Sequence, residues 1–197
     1  PGPGYTDFRK AICEKFKRDN GLDFTPEQIV VSTGAKQSLM NLMLALVDPG
    51  EEVVLPAPFW VSYIEMVKFA EGTPVIIETG IESDFKITPD SLRKALTPKT
   101  KAFLFSNPCN PSGSAYTSSE LAALVDVFKE SDCFIISDEI YEYINFGEGL
   151  KSIGAFEEIK DRVITVNGVS KGFAMTGWRI GFLGAPLEVA KACAKIQ

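Results

Sequence analysis

Seven short apolar segments recur along this chain of 197 residues, and stretches with helical periodicity lie between several of them. The segments are QIVVS (28–32), EVVLP (52–56), PVIIE (74–78), KAFLFS (101–106), CFIIS (133–137), RVITV (162–166) and RIGFLGA (179–185). Each is apolar at nearly every position, which is typical of strands that are covered on both faces. The alternation predicts an α/β fold with a doubly wound, mostly parallel seven-stranded sheet and helices on both faces.

The predicted helices have recognisable ends. They cover residues 7–20, 35–48, 117–131 and 186–197. Gly21 is a typical residue after a helix, Thr117 and Glu120 have the spacing of a capping box, and Pro186 suits a first helical position. No repeat or linker interrupts the pattern, so we expect one domain over residues 1–197.

Composition argues against several function classes. The net charge of −6 disfavours a general nucleic-acid-binding protein. The four cysteines are far apart and form no C-x-x-C pair, which disfavours a disulfide framework or a zinc site. The chain has no histidine, the commonest metal ligand and general base, so we expect no metal site. No apolar run is long enough for a membrane span and no signal peptide is visible, so we expect a cytoplasmic protein.

Ligands of doubly wound sheets bind at the carboxyl ends of the strands, so the loops after the strands are the candidate site. STGAKQ (32–37) leads from a strand into a helix, where the N–H groups of Gly34, Ala35 and Lys36 would favour a phosphate. An ordinary strand-to-helix turn is the alternative interpretation.

Two further loops carry polar side chains at strand ends. In SNPCNPSG (106–113), Asn107 and Asn110 each precede a proline, which predicts a stiff loop that could fix an amide or simply a tight connection. In SDEIYE (137–142), Asp138 ends a buried strand and needs a cationic or donor partner, unless it only caps a helix. Tyr141 follows one turn later.

The stretch VNGVSKGFAMTGWRIG (166–181) places Lys171 among small and apolar residues. Partial desolvation there would lower the pKa of the amine and make it a nucleophile, although a snorkelling lysine is the alternative. Arg179 begins the last predicted strand near an interior, where a guanidinium favours a bidentate anion such as phosphate. Together with Asp138, these groups predict a phosphorylated aldehyde on a cationic ring, which is pyridoxal phosphate.

With these motifs in their order, the chain resembles the class I/II, fold type I aminotransferases, and most closely those of the bacterial aspartate type. GVSKGFAMTGWRIG is similar to the lysine signature of that family, and NPCNPSG, SDEIYE, STGAKQ and PFWVSY occur in the expected order. The resemblance covers essentially the whole chain. It implies ping-pong transfer of an amino group from an amino acid, aspartate in this subgroup, to a 2-oxo acid such as 2-oxoglutarate, in a homodimer.

The resemblance also implies catalytic roles. Lys171 would hold the cofactor covalently and carry the proton during transfer. Asp138 would pair with the protonated pyridine nitrogen, and Tyr141 and Asn110 would hydrogen-bond the phenolic oxygen of the ring. Trp60 would stack on the ring, and both Trp60 and Asn110 would lie beside the bound amino acid.

The phosphate contacts implied by the resemblance are the turn Gly34–Lys36 and Arg179. Some relatives have a hydroxyl residue three positions before the lysine, where this chain has Gly168, so Ser170 is the substitute candidate.

The family's partner-subunit tyrosine would precede residue 4, and its carboxylate-binding arginine would follow residue 197. We therefore expect the chain to be the cofactor-binding large domain, weakly active or inactive by itself. A fold type I lyase and a non-enzymatic aminotransferase-like binding module remain the alternatives.

Overall fold

A seven-stranded mixed sheet forms the centre of the structure, a computed structural model that describes residues 2–147 and 149–197. Its strands are β1 (Ile29–Ser32), β2 (Glu52–Pro56), β3 (Thr73–Ile77), β4 (Thr100–Ser106), β5 (Phe134–Asp138), β6 (Val163–Gly168) and β7 (Gly181–Gly184). Their order across the sheet is β1-β7-β6-β5-β4-β2-β3. All pairs are parallel except those of β7, which is antiparallel to both β1 and β6. The predicted fold class is confirmed, with β7 as the one reversed strand in the described sheet.

Within residues 2–147 and 149–197, six α-helices connect and cover these strands. They are α1 (Thr6–Lys15), α2 (Ala35–Leu46), α3 (Ser62–Phe69), α4 (Pro89–Ala95), α5 (Ser118–Phe128) and α6 (Leu187–Ile196). Short 3₁₀ segments lie at Pro26–Gln28, Ile81–Ser83, Ile153–Ala155, Lys160–Arg162 and Thr176–Trp178, and α1 continues into a π-helical turn at Phe16–Asn20.

The helix ends follow the capping residues in the sequence. Thr117 and Glu120 form the expected capping box, with Glu120 N donating to Thr117 Oγ1 at 3.2 Å and Thr117 N donating to Glu120 Oε2 at 2.7 Å. Gly21 ends the π turn with a left-handed φ of 69°. Pro186 occupies the N-cap position directly before α6, and not the first helical position that the sequence predicts. Sequence analysis missed α3 and α4, which have only eight and seven residues.

Successive residues of the strands point to opposite faces, and both faces are covered. On one face, α2, α3 and α6 pack through residues such as Leu42, Val67 and Val189. On the other, α4 and α5 contribute Leu92 and Phe128 to a second cluster. A smaller cluster joins α1 to β1 and β7. This double cover explains why the strand sequences are apolar at consecutive positions.

In the part of the chain that the structure describes, no helix is both long and apolar enough to cross a membrane.

Candidate active site

The carboxyl ends of β1, β4, β5 and β6 lie at one edge of the sheet, and the reversed direction of β7 brings its amino end there too. The loops at this edge enclose a cavity of about 250 Å³. Nine of the ten predicted site residues line it: Ala35, Lys36, Trp60, Asn110, Asp138, Tyr141, Ser170, Lys171 and Arg179. The tenth, Gly34, lies against the Arg179 side chain. The structure therefore brings the predicted residues together, while their chemical roles remain predictions.

Four charged side chains line the cavity, and three of them are cations: Lys36, Lys171 and Arg179. None of the three forms an ion pair with another residue in ranges 2–147 and 149–197. This local excess of positive charge contrasts with the net charge of −6 on the whole chain. Such a cavity favours a ligand that carries several negative charges.

Asp138, the fourth charged group, is the last residue of β5 and is 4% exposed. Its Oδ1 accepts a hydrogen bond from Ile140 N at 3.2 Å, and its Oδ2 accepts one from Tyr63 Oη at 2.7 Å. Burial raises the pKa of the carboxyl to about 6, and the two donors oppose that rise. The sequence predicts a cationic or donor partner for Asp138, and in the structure the side-chain donor is the hydroxyl group of Tyr63.

Tyr63 is a site residue that sequence analysis missed. It lies on α3, is fully buried, and packs its ring edge-on against Trp60 with the centroids 5.6 Å apart. Burial and, next, the negative charge of Asp138 raise the pKa of its phenol well above the usual value. Tyr63 is the tyrosine of the motif PFWVSY, and nothing in a single sequence pairs it with a residue 75 positions away.

Trp60 is half-buried, and the Lys36 ammonium lies 4.8 Å from the centroid of its ring. The prediction for Lys36 concerned only its backbone N–H group. In the structure its side chain is exposed, extends over the Trp60 ring at the cavity lining, and has no ion pair among the described residues. A cation over an aromatic face is stabilised by the ring quadrupole.

The turn before α2 approaches Arg179 closely. Gly34 has a φ of 83°, and a Cβ at this position would collide with the Arg179 guanidinium. A Cβ at Gly181 would collide with the backbone of Gly34 and Ala35. The two glycines thus allow β7 and the turn before α2 to pack together beside the guanidinium. Gly34 N donates to Ser32 O at 2.8 Å, so this predicted phosphate donor is already engaged, and Gln37 N donates to Gly34 O at 3.0 Å. Among the described residues, the N–H groups of Ala35 and Lys36 at the start of α2 remain for an anion.

Two expectations about Arg179 are wrong. It is exposed, and it precedes β7 by two residues at the end of the 3₁₀ turn Thr176–Trp178. Its φ of 53° is left-handed, and its Nη1 donates to Thr176 O at 3.0 Å. Left-handed residues other than glycine are uncommon and concentrate at functional sites.

Lys171 follows β6 by three residues, and its Nζ lies 5.9 Å from the centroid of the Tyr141 ring. It is exposed, so the expected desolvation of the amine is absent. The small residues next to Lys171 in the sequence do not bury it, because its segment lies at the open side of the cavity, where Lys171, Thr176 and Arg179 are all exposed. Gly168 lies within β6, where a Cβ would come within 2.8 Å of Ile180 O, and Ser170 is buried at the cavity wall.

The two asparagines of the 106–113 loop have different environments. Asn107 is buried, and its Oδ1 accepts a hydrogen bond from Tyr116 N at 3.0 Å. Asn110 lines the cavity, and its N–H donates to Ser106 Oγ at 3.2 Å. The peptide bonds Asn107–Pro108 and Asn110–Pro111 are both cis. Only Asn110 is placed to contact a ligand in this cavity.

Comparison with known proteins identifies the family. The sequence model described as aminotransferase class I and II matches residues 1–197. The chain belongs to this family. The family resemblance of the sequence motifs is thereby confirmed.

Relatives and solved structures agree with the family. The chain is 50% identical to the aspartate/prephenate aminotransferase of Nitrosomonas europaea, over 98% of its own length and 50% of that protein. It is 45% identical to the aspartate aminotransferase of Geobacillus stearothermophilus, over 98% of its own length and 49% of the relative. The structure of the Thermus thermophilus aspartate aminotransferase with maleate has a TM-score of 0.96 and 45% identity, covering 100% of this chain and 51% of that one. The chain thus spans about half the length of these relatives.

Proposed function

We propose that this chain forms the pyridoxal-phosphate-binding domain of an amino acid aminotransferase that transfers the amino group of aspartate to 2-oxoglutarate. The observation that carries the proposal is one cavity lined both by the exposed Lys171, whose amine lies 5.9 Å from the centroid of the Tyr141 ring, and by the buried Asp138. Family membership and the names of the relatives support amino-group transfer.

The residues of the cavity fit pyridoxal phosphate. The approach of Gly34 to Arg179 and the N-terminus of α2 form an anion-binding corner suited to its phosphate. Asp138 is a buried carboxylate with no cation as a hydrogen-bond partner in the described residues, and a pyridinium nitrogen would supply that charge. Lys171, which lines the same cavity, is an exposed amine.

When bound, this cofactor supplies an aldehyde that reacts with amines and a cationic ring that withdraws electrons from the substrate Cα. Lys171 would hold the aldehyde end and carry a proton on Nζ. Asp138 would keep the ring nitrogen protonated, and Tyr63 would orient Asp138. Tyr141 and Asn110 would bind the phenolic oxygen, while Trp60 would cover one face of the ring.

Lys36 supports a substrate with two carboxylates. Lys36 is exposed, and its ammonium lies 4.8 Å from the centroid of the Trp60 ring, where a second carboxylate of the substrate would meet an unpaired cation. Relatives are named for aspartate, and the Thermus structure holds maleate, a dicarboxylate. Because several relatives are named aspartate/prephenate aminotransferase, prephenate is a second candidate acceptor.

The lyase and binding-module alternatives make different predictions for the products. A lyase would release a cleaved side chain, a transaminase would release a 2-oxo acid, and a binding module would release neither. We also propose a homodimer in the cytoplasm. The exposed aromatic side chains Phe173 and Trp178 beside the cavity support a subunit contact, and the four free cysteines support a reducing compartment.

The test is a titration of the 197-residue chain with pyridoxal phosphate, followed by absorbance and borohydride reduction. We expect a cofactor band that becomes covalent on reduction, with the label on Lys171. Lys171→Ala should lose the reducible bond, whereas Lys191→Ala, which removes an exposed lysine of α6, should not. Labelling of another lysine would refute the role of Lys171. Because this chain by itself is expected to be weakly active or inactive, the three alternatives are separated by adding aspartate to the cofactor-loaded full-length protein and identifying the released product.

A further inference from the structure

The turn after β5 sends its side chains in two directions. Asp138, Ile140 and Tyr141 line the cavity. Glu139 and Glu142 do not line it, and Glu142 N donates to Glu139 O at 3.0 Å to close the turn. Whatever holds the two glutamates therefore also fixes the orientation of the residues that face the cavity.

Asn20 and Lys15, at the end of the first helix, hold both glutamates. Asn20 Nδ2 donates to Glu139 Oε2 at 3.0 Å and to Glu142 Oε2 at 2.6 Å. Lys15 forms an ion pair with Glu142 and donates to Asn20 Oδ1 at 2.7 Å. Asn20 thus uses its donor and acceptor groups together to connect the lysine to both carboxylates.

The π-helical turn Phe16–Asn20 explains how these two residues cooperate. Residues five apart point in different directions on an α-helix, since each residue turns the helix by about 100°. A π turn closes an i→i+5 hydrogen bond and brings such residues onto one face. The local widening of the helix therefore places Lys15 and Asn20 side by side, against the turn after β5.

The same π turn also supports the segment that carries Lys171. The Tyr143 hydroxyl donates to Asp19. The Tyr143 ring packs edge-on against Phe173 with the centroids 5.3 Å apart, and a Cβ at Gly172 would come within 2.6 Å of Tyr143 Cδ2. The residues directly after Lys171 thus rest on a side chain anchored in the π turn.

We propose that Lys15 and Asn20 are positioning residues for the active site, acting through Glu139 and Glu142 to hold Tyr141 and Asp138 in the cavity that Lys171 also lines. This inference rests on the proposed function and adds a supporting element to it. The Tyr141 hydroxyl has no hydrogen bond within the described residues, so the backbone turn sets its place in the absence of a ligand.

The chemistry of the cluster supports a positioning role over a purely stabilising one. Glu139 is 4% exposed, and burial, followed by the nearby charge of Glu142, raises its pKa to about 7. Two buried carboxylates with one lysine are a costly arrangement, and apolar side chains of similar size are often at least as stabilising. Ser137 and Ser152 add hydroxyl donors to Glu139 Oε1 at 3.0 and 2.7 Å, which fixes its orientation.

The experiment compares Asn20→Ala and Lys15→Met with Lys17→Met, a matched control. Lys17 lies in the same segment, but it is exposed and pairs with exposed Asp23 at 3.4 Å. For each protein, cofactor affinity is measured by titration, ring orientation by the induced circular dichroism per bound cofactor, and stability by melting of the cofactor-free form. We expect Asn20→Ala and Lys15→Met to weaken affinity about tenfold and to change the induced dichroism, and Lys17→Met to do neither.

The outcomes separate this inference from the proposed function. Failure of the wild-type chain to bind pyridoxal phosphate would refute the proposed function and this inference with it. Binding by the wild type, with both variants lower in melting temperature but unchanged in affinity and dichroism, would overturn the positioning role alone. If Asn20→Ala does not fold, Lys15→Arg decides: recovery of the affinity and dichroism lost in Lys15→Met supports the role, and no loss in Lys15→Met overturns it.

Discussion

Replacing Asp138 by asparagine should stabilise the cofactor-free protein while weakening its binding of the cofactor. The carboxyl is almost fully buried, and burial raises its pKa from the usual 3.8 to about 6. At neutral pH the folded protein therefore contains a desolvated carboxylate, which the unfolded chain would expose to water. Asparagine has nearly the same shape without the charge, and the Tyr63 hydroxyl can turn to accept from its amide.

The magnitude follows from the change in pKa. The difference between about 6 and 3.8 is about 2 pKa units, and about 1.4 kcal/mol per unit gives about 3 kcal/mol. A carboxyl whose pKa rises on folding favours the folded state only while it is protonated, so its contribution is lost as the pH rises from about 4 through about 6. The asparagine variant should match the wild type near pH 4 and exceed it by up to about 3 kcal/mol at pH 8.

Urea unfolding of the cofactor-free proteins at several pH values measures this difference. Asp126→Asn is the control, because Asp126 is exposed on α5 and pairs with Lys129 at 2.6 Å; we expect a change within about 1 kcal/mol. Tyr63→Phe should act in the opposite direction, since it removes a 2.7 Å hydrogen bond from the carboxylate and leaves the charge buried. An asparagine variant no more stable than the wild type at pH 8 would refute the desolvation argument.

Cofactor binding tests the other half of the prediction. Loss of the anionic partner of a buried cation costs about 3–5 kcal/mol, so Asp138→Asn should bind pyridoxal phosphate far more weakly at the pH where it is more stable. A stability gain with undiminished affinity would show that Asp138 does not pair with the ring.

Two further substitutions test the ends of the cavity. Gly34→Ala should weaken cofactor affinity by more than Gly113→Ala. Both glycines have positive φ values, 83° and 76°, but only a Cβ at Gly34 would collide with Arg179. Equal losses of affinity in the two variants would show that backbone strain alone is the cause. In the full-length protein, Lys36→Met should lower kcat/KM for aspartate at least about tenfold while sparing a monocarboxylic amino acid, and Lys36→Arg should retain the preference. A uniform loss for both substrates would contradict a role in carboxylate recognition.

Much of the fold followed from local patterns in the sequence. EVVLP coincides with β2, and the other six apolar segments overlap the remaining strands with ends shifted by at most two residues. Burial on both faces requires consecutive apolar residues, so this signal is strong for a central sheet. The site followed from topology, because polar residues after parallel strands converge at one edge.

Other features depend on contacts that a single sequence does not display. The apolar run of β7 has no property that specifies its antiparallel direction. Lys171 has small neighbours, yet it is exposed because the segment that carries it lies at the cavity mouth. For α4 the signal was present but short: Thr88 and Ser91 form a capping box, and Pro89 is the first helical residue.

The motif SDEIYE contains both residues that a local sequence pattern identifies and residues whose role depends on long-range contacts. Asp138 and Tyr141 could be recognised from their place after a strand, because the chemistry of a ligand site requires such groups at the sheet edge. Glu139 and Glu142 occupy the alternate positions of the same turn, and the partner of both, Asn20, precedes Glu139 by 119 residues. That pairing depends on the π turn Phe16–Asn20, and no particular residue type marks a π turn in a sequence. The residues of the motif that face the ligand, Asp138 and Tyr141, can therefore be predicted from the sequence. The contacts of Glu139 and Glu142, which hold the turn in place, are known only from the folded structure.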